Sequence, residues 1–391
     1  MSRPAASPNG LLSRAAIIVT ATIFGLTYSL SAALIALDLA QAGLSESLIG
    51  ANAAMHAVGV LAMAFLLPRL VAAVGMRRAV VGALLSAAVL LCLFPAMPLI
   101  WLWFPLRILL GAASEVLFVL SETWLNALST EESRARTMGA YTAALSIGFA
   151  LGPLILSMTG TDGATSYIVG SALAAVASVL VLSPAIEVPT FERPSHDNPL
   201  RYMRLAPVAM AATVLNAAIE TAGLSFLTLY AINMGWEEAH ATQLMTCMMA
   251  GAIALQLPIG WLGDKMDRRR LIVALAALAA AGALAWPWAL QSPWTIYALL
   301  FVWGGLFVGI YTIMLTIVGS RFSGSDLVGI YAGMGLTWGV GALLGPLLAG
   351  IAMQATLHGL AFFAALACGA FMVAALWAGR SSPAAAATDR S

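Results

Sequence analysis

Long uncharged apolar runs dominate the chain, and most of them are long enough to cross a bilayer as a helix. The run 15–37 carries no charged residue, and the run 47–68 carries one titratable group, His56. A helix needs about 20 apolar residues to span the hydrocarbon core. The runs 271–320 and 327–379 are long enough for two spans each, with breaks near 291–293 and 354–359. Counted along the whole chain, the pattern predicts twelve transmembrane helices.

The composition supports this prediction and excludes other classes of protein. Of 391 residues, 61% are hydrophobic and 9% are charged, whereas about a quarter of an ordinary soluble domain is charged. A net charge of +1 gives no basic footprint for a nucleic-acid partner. Strands of outer-membrane barrels alternate polar and apolar residues, and these runs are apolar on every face. The sequence therefore indicates an all-α integral membrane protein whose surroundings are the lipid bilayer.

The basic residues predict the orientation. With a cytoplasmic N-terminus, every one of the 18 lysines and arginines except Arg107 falls on the cytoplasmic side of the twelve-helix arrangement. Cytoplasmic loops are enriched in these residues. We therefore predict a multi-pass membrane protein with both termini in the cytoplasm.

Two motifs recur half a chain apart and indicate an internal repeat. The repeated residues are Gly148, Gly152 and Pro153 in span 5 with Gly341, Gly345 and Pro346 in span 11, and Arg77-Arg78 after span 2 with Arg269-Arg270 after span 8. We predict two pseudo-symmetric six-helix bundles, 14–183 and 207–379. A cytoplasmic linker, 184–206, joins them, and cytoplasmic tails, 1–13 and 380–391, flank them. Such repeats carry a solute site at their interface near the bilayer midplane.

These motifs resemble those of the major facilitator superfamily over essentially the whole chain. The segment 260–270, Gly-Trp-Leu-Gly-Asp-Lys-Met-Asp-Arg-Arg-Arg, is similar to the family's loop motif Gly-x-x-x-Asp-Arg-x-Gly-Arg-Arg. The equivalent segment after span 2 has Ala72 in place of the acid. Arg107-x-x-x-Gly111 is similar to the family's motif in span 4.

Two further segments extend the resemblance. Gly139, Gly148 and Gly152-Pro153 in span 5 are similar to the antiporter motif, with residues 156–157, Leu-Ser, in place of its final Gly-Gly. The run 122–126, Glu-Thr-Trp-Leu-Asn, followed by Arg134, Arg136 and Tyr141, resembles the YcaD-like branch of bacterial sugar and drug carriers. The resemblance implies a twelve-helix secondary transporter of the bacterial cytoplasmic (inner) membrane that works by alternating access.

Charged residues inside the spans are candidates for function, since each costs about 2.5–3.5 kcal/mol to insert. Glu220 and Glu115 are predicted proton carriers, and His56 is a third candidate that has the alternative role of a packing histidine. Arg107 is a fixed cation for an anionic group of the solute, or else the partner of Glu115 in an internal salt bridge without a transport role.

Polar and aromatic side chains at the depth of the expected cavity are candidates for solute binding. The alternative for the aromatic residues is packing or a position facing lipid, which is their commoner fate. The candidates, besides Arg107, are Asn216, Tyr28, Phe226, Trp303, Tyr311 and Trp338.

Charged residues at the cytoplasmic ends of the spans predict a gate. Asp264 is expected to cap a facing helix and to pair with a nearby arginine, which would hold the cytoplasmic side closed until the halves rock. Glu122 is expected to pair with an arginine of the same gate. The remaining members of the predicted gate are Arg268, Arg269, Arg77, Arg78 and Arg136.

The sequence favours a monomeric secondary active transporter of a small organic solute, coupled to protons and exporting by antiport. Proton-coupled uptake of an organic anion or metabolite by symport is the alternative. An intramembrane enzyme is disfavoured because the spans hold no His-Glu-x-x-His motif or other catalytic constellation. A passive channel usually assembles its pore from symmetric subunits, which two halves of one chain do not match. We expect no cofactor and no metal.

Cysteine labelling tests the predicted orientation. In a background without Cys92, Cys247 and Cys368, Glu237→Cys lies in a predicted outer loop and Arg201→Cys in the predicted linker. A membrane-impermeant thiol reagent applied to intact cells is expected to label position 237 and not position 201. Labelling at 201 without labelling at 237 would invert the topology.

Overall fold

The computed structural model describes residues 8–129, 131–161, 163–188, 203–322 and 324–380. Within these ranges it describes every side chain except those at 8, 9, 11, 131–136, 139, 324, 325, 327, 328, 332, 379 and 380. Twelve helical segments of this part are long and apolar enough to cross a membrane. The prediction of an all-α protein with twelve transmembrane helices is therefore confirmed.

We number the spans α1 to α12. In the first half of the chain they are α1 (Pro8–Gln41), α2 (Glu46–Val74), α3 (Met76–Ala96), α4 (Trp103–Ala127), α5 (Glu131–Thr159) and α6 (Thr165–Leu182). A short 3₁₀ turn, Ile100–Leu102, precedes α4. In the second half they are α7 (Pro207–Asn233), α8a (Glu238–Ala254) with α8b (Gln256–Lys265), α9 (Arg268–Ala289), α10 (Pro293–Arg321), α11 (Gly324–Ala355) and α12 (Gly359–Arg380).

Two boundaries differ from the apolar pattern, and proline and glycine explain both. The second span continues through Pro68 and ends only at Val74, before Gly75 with φ +81°. Glycine adopts a positive φ without steric cost, so it ends helices readily. Span 8 is interrupted at Leu255. Pro258 has no N–H to bond the carbonyl of Ala254, which accounts for the break.

The contacts divide the chain into two units. The first contains the described residues of 1–44, 55–195 and 238–246, and the second those of 45–54, 196–237 and 247–391. In the first unit α1 packs on α4, α5 and α6, and α3 packs on α4 and α6. In the second unit α7 packs on α10, α11 and α12, and α9 packs on α10 and α12. The second set of pairs is the first set shifted by six helices, as expected for a repeat. The exact domain boundaries stay predictions.

Glycines allow the closest helix pairs to touch through their backbones. A Cβ atom at Gly148 of α5 would clash with the carbonyl of Thr22 in α1, and one at Gly152 would clash with Ser29. In the second unit, Gly341 of α11 has the same relation to Val214 of α7. Small residues permit this approach between membrane helices.

The other members of the repeated motif fit the same picture. Gly345 of α11 meets the backbone of Ala218 in α7. Pro153 and Pro346 lie inside α5 and α11. Gly139 lies in α5, and its surroundings are outside the described part of the structure.

Candidate functional site

A buried basic cluster lies in the first unit where α2 and α4 touch. Cβ atoms at Gly59 and Gly111 would clash with the carbonyls of Ile108 and His56, so the two backbones are in contact at this point. Arg107 precedes Gly111 by about one helical turn, which brings its charge near the imidazole. The exposed fractions are 2% for Arg107 and 3% for His56.

The polar atoms of this cluster are incompletely satisfied. Arg107 Nη1 donates to the carbonyl of Ser31 at 3.3 Å, but its Nε has no partner among the described residues. Both ring nitrogens of His56 are likewise buried without a partner in that part of the chain. The ring of Tyr28 lies edge-on to the imidazole, with centroids 4.7 Å apart. A buried cation with unused donors is costly on its own and can bind an anion.

Glu115 lies two turns further along α4 and is partly buried. Eight residues of helix separate it from Arg107 by about 12 Å along the axis. No salt bridge joins the two among the residues described, and Arg107 bonds to Ser31 instead. The internal Arg107–Glu115 salt bridge that was the alternative is therefore not formed in the described structure.

Sequence reasoning missed a second polar contact in the first unit. The hydroxyl of Tyr167 in α6, which is 1% exposed, donates to Asp38 Oδ2 in α1 at 2.6 Å. Tyr167 is also within electrostatic range of Arg107. The apolar pattern ends span 1 at residue 37 and so predicts an outer-loop position for Asp38, whereas α1 continues to Gln41. The run is already long enough for one span, so its length does not predict that the helix continues.

In the second unit, the polar pair of α7 consists of Glu220 and Asn216. Asn216 Nδ2 donates to Glu220 Oε2 at 3.3 Å. Asn216 is 8% exposed, and its Oδ1 is buried without a partner among the described residues. The pair therefore combines a carboxylate that can take up a proton with an amide that has an unused acceptor.

Two of the aromatic candidates are packing residues of the second unit. Trp303 and Phe226 have no exposed surface. The indole N–H of Trp303 donates to the carbonyl of Ala279 at 2.7 Å, and its ring packs against Trp286 with centroids 4.8 Å apart. Both rings are bulky, and the indole N–H of Trp303 has its hydrogen-bond partner, which explains why these side chains fill the helix interfaces. Tyr311 and Trp338 are partly exposed.

The predicted gate residues of the second unit form local contacts. Arg268 Nη2 lies 3.6 Å from Asp264 Oδ1, one turn away, and Asp264 is 75% exposed. The residue that caps α9 is Asp267, whose carboxylate accepts from the backbone N–H of Arg270 at 2.8 Å. Asp267 thus caps α9, its own helix, and the cap that Asp264 is expected to provide to a facing helix stays a prediction. Arg269 is partly exposed.

One predicted gate residue of the first unit, Arg77, binds the start of the linker. Arg77 donates to the carbonyl of Ile186, and the indole of Trp124 donates to the carbonyl of Glu187 at 2.8 Å. Glu122 and Arg78 are exposed. The side chain of Arg136 lies outside the described residues. The Trp of the run 122–126 therefore has a structural role, which is to hold the chain where it leaves α6.

Residues 17–243 and 209–391 match the family model of the Major Facilitator Superfamily. The chain belongs to this family, and the resemblance inferred from its motifs is confirmed. Its described part holds twelve helices that are long and apolar enough to cross a membrane, as this family requires.

Relatives and solved structures agree with this assignment. The chain is 26% identical over 272 residues to the uncharacterised MFS-type transporter YfkF of Bacillus subtilis (strain 168), a match that covers 65% of this chain and 66% of YfkF, just under two thirds. It is 22% identical over 323 residues to the MFS-type transporter YcaD of Salmonella dublin, covering 82% and 84% of the two chains.

Two solved structures share the fold. The nucleoside transporter NupG has a TM-score of 0.77 at 12% identity and covers 96% of this chain and 100% of its own. A D-xylose-proton symporter has a TM-score of 0.73 at 15% identity, with coverage of 94% and 96%. Identities this low show the fold and leave the solute to be argued from the residues.

Variants of Asp267 and Asp264 distinguish the role of a helix cap from that of a gate residue. Asp267→Ala removes the cap of α9 and is expected to lower the free energy of unfolding by about 1 kcal/mol, seen as a lower melting temperature in detergent. Asp264→Asn leaves the cap in place and is expected to keep wild-type stability while transport slows. Transport at the wild-type rate in Asp264→Asn would show that Asp264 is only a loop residue.

Proposed function

We propose that the protein transports a small organic solute across the bacterial inner membrane by alternating access, coupled to protons, with export by antiport favoured. The observation that carries the proposal is the Glu220–Asn216 pair inside α7. An ionisable group in a span is expensive and is retained where it carries out a function. Among proteins of this fold, the D-xylose-proton symporter is by its name driven by protons.

The chemistry of the pair suits a group that gains and loses a proton. With Glu220 charged, the amide N–H of Asn216 donates to the carboxylate, as it does in the structure. With Glu220 protonated, the new O–H can donate to Asn216 Oδ1, the acceptor that is unused now. One amide thus provides a partner for either form, which keeps both forms accessible in a dry setting.

Glu115 is the second proposed carrier. It is partly buried in α4 and has no cation bound to it in the described part of the chain. An unpaired carboxylate in an apolar setting binds a proton more readily than a paired one. Its role is therefore tested together with that of Glu220.

The basic cluster supports the second candidate, which is symport of an organic anion. Arg107 and His56 offer unused donors, and no carboxylate among the described residues neutralises Arg107. A carboxylate or phosphate group of the solute would supply the missing charge. Under this candidate His56 binds solute, whereas under antiport it can take part in proton transfer.

The carboxylate variants test coupling. In proteoliposomes with a pH gradient, Glu220→Gln is expected to abolish uphill accumulation of a solute identified by ligand screening, because the amide cannot titrate. Solute binding and counterflow exchange should persist, since the shape is kept. Glu115→Gln is expected to lose coupling as well. Normal uphill transport in both variants would contradict the assignment.

Arg107 distinguishes the two candidates in the same assay. If the solute is anionic, Arg107→Ala should weaken binding, and Arg107→Lys should not restore a two-pronged contact. Unchanged binding in Arg107→Ala, with coupling still lost in Glu220→Gln, would exclude anion symport and leave proton-coupled transport standing. The sign of the pH gradient that drives accumulation then decides between export and uptake.

A further inference from the structure

The second unit contains a recess that takes no part in the proposed transport chemistry. It lies at the end of the unit where α7 and α9 begin and α10 ends, and it encloses about 590 Å³ of space, including solvent at its mouth. The recess is open at its mouth, so a ligand can occupy it without being fully enclosed.

The lining combines two cations with an apolar wall. Arg269, from the first turn of α9, and Arg321, from the last turn of α10, both line it. Between them the wall consists of apolar side chains, among them Ile272, Met314 and Ala375. Arg268, the residue before Arg269, forms a salt bridge with Asp264. No salt bridge to Arg269 or Arg321 occurs among the described residues. Within the described part of the chain, the two guanidinium groups are thus available to an anion.

The start of α7 adds a third source of positive potential. Residues 205–209 line the recess, and no side chain caps α7, which begins with Pro207. The backbone N–H groups of a first turn carry partial positive charge and favour anions. Here they lie beside two arginines in the same cavity, so charge and cavity indicate the same kind of ligand.

The position of the recess along the spans narrows the class of possible ligands further. Arg268 begins the span of α9 and Arg321 ends that of α10, so the arginines lie at the level where a bilayer changes from hydrocarbon to headgroups. The recess lies on the predicted cytoplasmic side, where anionic headgroups bind basic pockets between helices. A soluble phosphate would use the arginines and leave the apolar wall unused.

We propose that this recess is a binding site for an anionic glycerophospholipid. Its phosphate bonds to Arg269 and Arg321, and its glycerol and first methylene groups lie on the wall formed by Ile272, Met314 and Ala375. A bound lipid would link the start of α9 to the end of α10. The proposal is independent of the solute and of proton coupling.

Native mass spectrometry of the purified, delipidated full-length chain tests the site. The probes are dioctanoyl phosphatidylglycerol, dioctanoyl phosphatidylcholine with the same tails, and glycerol 3-phosphate with the anionic group but no tails. Saturable binding of phosphatidylglycerol, at least tenfold tighter than binding of the other two, is the expected result. Equal binding of the two lipids would overturn the proposal. Glycerol 3-phosphate binding as tightly as phosphatidylglycerol would identify a soluble phosphate site instead.

Four arginine variants locate the binding. Arg269→Gln and Arg321→Gln are each expected to raise the Kd for phosphatidylglycerol about tenfold, the effect of losing one charge-assisted hydrogen bond. Arg270→Gln is the matched control, because Arg270 is exposed, has the same charge and does not line the recess. Equal weakening in the control would reduce the effect to general surface charge and overturn the proposal. Binding is read directly from the spectrum, so a change in stability cannot imitate the result. Arg269→Lys keeps the charge and should retain most of the affinity for phosphatidylglycerol.

Discussion

The cost of placing charge in hydrocarbon is the constraint on which the rest of this molecule depends. Helices satisfy their own backbone groups, so twelve of them can cross the bilayer, but side-chain charges have no such solution. The few that remain inside the spans are therefore informative. Arg107 has a single weak carbonyl contact, Glu220 has one amide partner, and Glu115 has no bound cation in the part of the chain described. Ordinary packing would not retain groups that are so poorly compensated.

The scaffold is symmetric, whereas the chemistry is not. Backbone contacts through Gly59 and Gly111 between α2 and α4 recur through Gly251 and Gly304 between α8 and α10, about half a chain later. The same holds for the contacts of α5 with α1 and of α11 with α7. The first unit places a buried arginine and a histidine at its α2–α4 contact, and the second places a carboxylate and an amide in α7. Under the proposed function Glu220 of the second unit and Glu115 of the first take up protons, and under the symport candidate the first unit also recognises charge on the solute.

Much of the fold could be predicted from the sequence, and much of the site could not. The spans follow from the lengths of the apolar runs, and the family follows from short motifs at defined spans. The rotation of each helix about its axis cannot be predicted in this way, because a span that is apolar on every face gives no signal for which side is buried. This is why the sequence left Trp303 open between a cavity wall and packing, and left open whether Arg107 pairs with Glu115. In the structure Trp303 has no exposed surface, and Arg107 bonds to the carbonyl of Ser31. Asp38 was missed because an acid that follows an apolar run is easily assigned to a loop, while its bond to Tyr167 depends on tertiary packing.

The central claim is that Glu220 changes its protonation state within the membrane, and infrared difference spectroscopy of the reconstituted protein during a pH titration tests it without knowledge of the solute. The account predicts a carboxylic acid C=O band that appears on acidification, is absent in Glu220→Gln and is kept in Glu237→Gln, which changes an exposed carboxylate outside the helices. A wild-type spectrum without a band that depends on Glu220 would contradict the claim.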